Sequence, residues 1–187
     1  MDSSVSDHDV TLRDGRTVHL RAVRSSDEGN LLQAFERLSA EARYMRFMRH
    51  VREPNVERLR QALASLPQSG VGIVATVPAA DGIDIVGSTV LVIGSDPSTC
   101  EFAITVAAEY GRAGLGLTLM KALIDAARRR GLKEMEGFVL AANKPMLRLA
   151  ARLGFGISSD PEDRTVSICR LRLGEVQHRP APGDVEY

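Results

Sequence analysis

Gly111-Arg112-Ala113-Gly114-Leu115-Gly116 joins two stretches of different period. Before it, Phe102-Ala103-Ile104-Thr105-Val106 is an apolar, strand-like run. After it, Leu115 to Arg130 repeats its apolar residues every three or four positions, as a helix does. Glycines at the first, fourth and sixth places let the backbone turn sharply, expose its N–H groups and open a helix without a Cβ in the way. A helix N-terminus holds unpaired donors and about +0.5 of a charge, so such a junction receives anions, phosphates above all. The spacing is neither the dinucleotide fingerprint G-x-G-x-x-G nor a Walker A loop, because no Lys-Ser/Thr pair follows Gly116. On spacing alone, a phosphate cradle and a plain tight β-to-α turn stand even.

Working outward, the 187 residues suit one domain with a sizeable core. Lys plus Arg and Asp plus Glu number 24 each, so no global field favours nucleic acid or an anionic membrane. Cys100 and Cys169 each sit in an apolar run, and the four histidines (His8, His19, His50, His178) show no metal spacing. Residues 1–9 are polar with no apolar core of a leader, and no run approaches 18 apolar residues. The expectation is a cytoplasmic protein. It has a flexible start (1–9), one folded unit (10–173) and a flexible polar tail (174–187).

Asp14-Gly15, between Val10–Leu12 and Thr17–Val23, predicts a hairpin. Ser25-Ser-Asp-Glu28 reads as a capping box opening a helix with the stripe Leu31, Leu32, Phe35 and Leu38. Ser39 caps a second helix to about Met48, and Pro54 starts a third with Val56, Leu59, Leu63 and Leu66 on one face. Strands follow over 72–77, 83–93 and 99–107. The helix after the glycine loop turns Leu119, Met120, Leu123, Ile124 and Ala127 inward and ends at Arg128-Arg129-Arg130 and Gly131. A strand over 135–140, a short helix capped by Asn143, and strands over 155–158 and 165–173 complete an α/β (α+β) sandwich. Arg43, Arg46, Arg49 and Arg52 recur every third residue. If one helix runs through all four, they form a basic stripe, read first as a solvated face and second as a lip for an acidic protein.

The segment Glu101-Phe-Ala-Ile-Thr-Val-Ala-Ala-Glu-Tyr-Gly-Arg-Ala-Gly-Leu-Gly116, followed by Asn143-Lys-Pro-Met-Leu-Arg-Leu-Ala-Ala-Arg-Leu-Gly-Phe155, resembles the core of the GNAT superfamily of acyltransferases. Their acyl-CoA loop reads Gln/Arg-x-x-Gly-x-Gly/Ala. Leu12-Arg-Asp-Gly-Arg-Thr-Val-His-Leu-Arg21 and Leu38-Ser-Ala-Glu-Ala-Arg-Tyr-Met-Arg-Phe47 are similar to the GNAT domain of bacterial protein-lysine acetyltransferases. The resemblance implies the GNAT fold: a mixed, mostly antiparallel sheet splayed between its fourth and fifth strands and flanked by helices. It also implies an acyl-CoA-dependent N-acyltransferase that uses acetyl-CoA and no metal. The implied acceptor is a primary amine, a protein lysine by preference. A small-molecule amine, a peptide N-terminus or a non-catalytic CoA-binding module are the alternatives. Such modules are often fused to acyl-CoA synthetase-like or ligand-sensing domains, which the 187 residues do not carry. A homodimer is compatible with the sequence.

By the same resemblance, the diphosphate falls on the N–H groups of Arg112, Ala113, Gly114, Leu115 and Gly116, helped by Leu117 and Thr118. Gly111 stands at the usual Gln/Arg position. The pantetheine arm falls along the free strand edge at Ile104 and Val106, and near Asn143. Strand alternation puts Cys100, Phe102, Ile104 and Val106 on one face and Glu101, Ala103 and Thr105 on the other. A lysine of pKa about 10.4 is protonated at neutral pH and must lose a proton before it attacks. A carboxylate with a raised pKa can take it. In the resembling lysine acetyltransferases a glutamate at this place is the general base, which makes Glu101 the candidate; an exposed acid on a half-buried strand is the plain alternative. Ala150 occupies a position where many members carry a tyrosine acid, leaving Tyr110 as a weak substitute. Cys100 is expected to face the core, so transfer is expected to be direct.

Overall fold

Asp14-Gly15 turns the chain between β1 (His8–Thr11) and β2 (Thr17–Ala22), with Gly15 at φ +86°. The computed structural model describes residues 5–174, so of the expected flexible start (1–9) and tail (174–187), residues 1–4 and 175–187 lie outside the described residues. The folded part begins earlier than residue 10: β1 starts at His8, and Val5 is buried in the core. Three helices follow, α1 (Glu28–Glu36), α2 (Ala40–Phe47) and α3 (Val56–Ser69). Then come β3 (Gly70–Ala79), β4 (Gly82–Ile93) and β5 (Thr99–Val106), each antiparallel to the one before. The glycine loop leads into α4 (Leu115–Arg129), and β6 (Glu134–Leu140), α5 (Lys144–Arg152), β7 (Gly156–Ser159) and β8 (Val166–Arg172) complete the chain.

Helix starts and stops follow local chemistry. The Ser39 hydroxyl accepts from the Ala42 N–H, as expected. The third helix is capped by Asn55, whose side chain accepts from the Arg58 N–H, so Pro54 precedes the cap instead of starting the helix. The expected Ser25 capping box does not form. Ser25–Asp27 is a 3₁₀ turn, and the Asp27 carboxylate accepts from the Arg24 N–H and from Arg21. α2 stops at Phe47, where Met48 takes a left-handed φ of 54°. The four arginines from Arg43 to Arg52 therefore share no single helix face.

The eight strands run in the order β1-β2-β3-β4-β5-β6-β8-β7, antiparallel except where β5 meets β6. That parallel pairing holds only at Thr99–Glu134, Cys100–Met135 and Glu101–Glu136. Beyond it, β5 pairs with β4 alone and β6 with β8 alone, so the sheet opens into a wedge. This is the expected splay; it falls between the fifth and sixth strands in chain order because the opening hairpin supplies two. Phe102, the first residue past the last pair, lays its ring over Gly137, where any Cβ would overlap it. The same ring meets Phe155 edge-on at 5.3 Å. α4 closes the core from one side with Leu115, Leu119, Met120, Leu123, Ala126 and Ala127 fully buried. No α1 residue is fully buried; α1 and α2 cover the other side.

Candidate active site

The glycine loop leaves the end of β5 through a 3₁₀ turn at Ala108–Tyr110. Gly111 and Ala113 spend their N–H groups inside the turn, on the carbonyls of Ala108 and Tyr110. Gly114, at φ +86°, is the N-cap of α4 and has no side chain to cap it. The N–H groups at the start of a helix have no partner within it, which leaves those of Leu115, Gly116 and Leu117 for a ligand. The Thr118 N–H and hydroxyl both donate to the Gly114 carbonyl. A Cβ on Gly116 would come within 3.2 Å of Leu149 on α5 and 3.9 Å of Val106 on β5. The open donors thus lie where β5, α4 and α5 converge. Two residues without Cβ atoms and a ring of open N–H groups fit a diphosphate, and the unpaired edge of β5 beyond Glu101 fits an extended amide-bearing arm.

Ile104 and Val106 are half-buried on that strand, packed against the core. Asn143 caps α5, its side-chain oxygen accepting from the Met146 N–H at 3.3 Å. Arg112 is exposed at the loop's outer face. The Arg13 guanidinium, held by the β1–β2 hairpin, lies 3.1 Å from where a Gly114 Cβ would stand.

Glu101 is the last β5 residue with a partner on β6, so it stands at the closed end of the wedge. It remains reachable from solvent, yet surrounding protein removes enough water to push its carboxyl up, and Glu136 beside it adds to the rise. Arg46 on α2 opposes that rise. Sequence reading had grouped Arg46 with a solvated stripe. The signal that could have separated it is the bend of the chain at Met48, which periodicity does not reveal. Other acids near the cleft differ. Asp84 is tied to Arg37 at 2.9 Å, and Glu109 is exposed beyond the strand's end.

No thiol is poised to attack. Cys100 is buried, its Sγ faces the Glu134 carbonyl at 3.7 Å, and burial pushes its thiol up to about 11. Ala150 is fully buried, so a tyrosine there would have no room without repacking. Tyr110 is buried as well, with the Arg16 guanidinium 3.8 Å above its ring. Among the described residues, no three His, Cys, Asp or Glu side chains cluster as a metal site, and no helix is long and apolar enough to cross a membrane.

Residues 17–156 match the family described as "Acetyltransferase (GNAT) domain". The chain is 36% identical over 168 residues to acetyltransferase PA5475 of Pseudomonas aeruginosa, covering 89% of this chain and 90% of that protein. Its fold is similar to the GNAT domain of Streptomyces lividans PAT, with a TM-score of 0.80 at 22% identity over 89% of this chain and 96% of that one. It is also similar to yncA of Salmonella typhimurium, solved with its cofactor acetyl-CoA: TM-score 0.65, 20% identity, 90% of this chain and 99% of that one. The wedge in the sheet, the glycine loop at its mouth and the match over residues 17–156 agree: this chain belongs to the GNAT acetyltransferase family.

Proposed function

We propose that this protein transfers an acetyl group from acetyl-CoA directly to a primary amine, with a protein lysine as the favoured acceptor. Glu101 is the general base. The observation that carries the reading is the place of Glu101, at the closed end of the wedge with its carboxyl pushed up by burial and Glu136. Acetyl-CoA supplies an activated carbonyl on a thiol leaving group. The N–H groups of Leu115, Gly116 and Leu117, following the Gly114 cap, hold its diphosphate, with Arg112 at the rim. The free β5 edge at Ile104 and Val106 holds its arm beside Asn143 on α5. Glu101, unprotonated, takes the proton from the incoming ammonium directly or through water. Direct attack is favoured because both cysteines are buried, with pKa values raised by burial. A thiol of ordinary pKa about 8.5 leaves without an acid, which suits the buried Ala150. The lysine preference is supported by the resemblance of Leu12–Arg21 and Leu38–Phe47 to the lysine acetyltransferase branch, and small amines are the second class to try.

The test is a screen of radiolabelled acetyl-CoA against lysine peptides, protein lysates and small amines, with release of free CoA followed in parallel. Acceptor-dependent CoA release is expected. Binding of acetyl-CoA with no release for any amine would instead identify a CoA-binding module.

A further inference from the structure

We infer that Arg46 anchors the acceptor: its guanidinium, at the end of α2 above the parting of β5 and β6, binds a carboxylate carried by the amine substrate. The inference rests on the reading of the Glu101 cleft as the amine site. α2 packs against β5 and β6, the two strands that separate to form the wedge, and Arg46 lies in its last turn. The Arg46 Nε is sealed from solvent and has no hydrogen-bond partner. Among the described residues, no group forms a hydrogen bond or ion pair with this guanidinium, whose carbon lies 4.9 Å from the Phe47 ring centre.

Arg43, one turn earlier, shows what a structural arginine looks like here. Its Nε is sealed too, but its other nitrogens donate to the carbonyls of Arg52 at 2.8 Å and Glu36 at 3.1 Å. It also lies 4.3 Å over the Phe35 ring. Arg43 therefore clamps the α1–α2 turn to the segment after α2. Arg46 clamps nothing.

A buried charge is costly unless it is paired and hydrogen-bonded. Burial lowers the Arg46 pKa, yet a guanidinium stays cationic at neutral pH. Glu101 is the charge that helps Arg46, but that carboxylate is shared with the proton transfer and faces Glu136. The side chain as a whole is half-buried and only its Nε is sealed, so an arriving anion meets the two terminal nitrogens, whose planar fork matches a carboxylate with two parallel bonds. An anion that reaches this spot arrives with the amine that must reach Glu101. Two sources supply that chemistry: an acidic side chain next to an acceptor lysine, or the α-carboxylate of a free amino acid.

The test times acetyl transfer to acceptors matched except for charge. One pair is a lysine peptide with Asp beside the lysine and its Asn twin; the other is alanine and alaninamide. In one pair the carboxylate member should be favoured in kcat/KM by about tenfold to a hundredfold, mostly through KM, the scale of a hydrogen bond to a charged group. The pair that responds names the source. Arg46→Gln should bring its two members to near parity, and Arg46→Lys should restore part of the difference. A wild-type enzyme indifferent to the carboxylate in both pairs overturns the anchor and leaves amine transfer standing. Equal slowing of both members by Arg46→Gln also overturns it and makes Arg46 a structural residue or a tuner of Glu101. Failure of every acceptor overturns the amine reading beneath it as well.

Discussion

Glu101 and Glu136 face each other as the last paired residues of the parallel strands β5 and β6, and Glu136 in turn receives the Arg170 Nε at 3.2 Å. A carboxylate in register beside Glu101 raises the cost of losing its proton, adding to the rise that burial imposes. Arg170 on β8 partly neutralises Glu136, and Arg46 on α2 faces Glu101 from the other side. The Glu101 carboxyl is thus pushed up first by burial and then by Glu136, and drawn down by Arg46.

The signs follow for the acidic limb of kcat/KM, along which activity rises as Glu101 loses its proton. Glu136→Gln removes the like charge, lowers the Glu101 pKa and moves the limb to lower pH. Arg170→Gln leaves Glu136 uncompensated and moves it to higher pH. A pH–rate profile of the two variants that stays superimposed on the wild type would show that another group titrates in that limb.

Glu101→Gln keeps the shape of the side chain and removes its basicity. Loss of a positioned base costs about 10²–10⁴-fold in rate. The variant should lose kcat/KM on that scale at neutral pH, keep its affinity for acetyl-CoA, and recover as the pH approaches the amine's own pKa. Near-normal turnover at neutral pH would remove Glu101 from the chemistry.

Gly116→Asp separates the loop's ligand role from its structural one. Gly116 is in the first turn of α4, where a carboxylate complements the helix dipole and is worth roughly 0.3–1 kcal/mol to the fold. Its Cβ meets only the flexible end of Leu149 at 3.2 Å and Val106 at 3.9 Å. The same carboxylate repels a diphosphate. Calorimetry should therefore show CoA affinity down by at least about tenfold, the effect of roughly 1.4 kcal/mol, with melting temperature nearly unchanged and binding of phosphate-free pantetheine retained. Unchanged CoA binding would move the diphosphate away from this loop.

The parts of this molecule that were legible in its sequence are those set by short-range chemistry. The change of period around Gly111–Gly116, the Asp14-Gly15 turn and the caps at Ser39 and Asn143 fix their elements through neighbours no more than four residues away. Strand alternation likewise put Cys100 inward and Glu101 outward. What escaped depends on residues distant in the chain. Glu28 looked like the acid of a serine-capped box, but Arg60 on α3, 32 residues away, holds both its oxygens. Arg46 looked like one stripe member among four until the chain turned at Met48 and α2 settled on β5 and β6. Glu136 carried no motif at all; only the register of two strands joined through α4 sets it beside Glu101.

Asp27 also offers a test of what holds the cleft's cover in place. Its two oxygens take the Arg21 fork at 2.7 and 2.8 Å, and one also accepts from the Arg24 N–H at 2.8 Å, with both side chains buried. Burial by itself would raise the Asp27 carboxyl, but the bonds from Arg21 and Arg24 outweigh it and hold the group below the usual aspartate range. A carboxylate depressed in the folded state stabilises above its unfolded pKa of about 3.9, and that contribution is lost as pH falls through the folded value. Asp27→Asn should therefore cost about 3–5 kcal/mol at neutral pH, the usual penalty for leaving one partner of a buried pair unmatched. The deficit should shrink in acid, where the wild type loses the same charge. Because α1 starts directly after this turn and α3 contacts it, the loss should loosen α1–α3 before the sheet. Hydrogen exchange should show α1 amides opening first, with β3–β5 still protected. The paired change Arg21→Met with Asp27→Leu should return much of the stability, since an apolar pair leaves no charge stranded. If Asp27→Asn unfolds in urea at the wild-type midpoint at neutral pH, the buried pair contributes nothing to the fold.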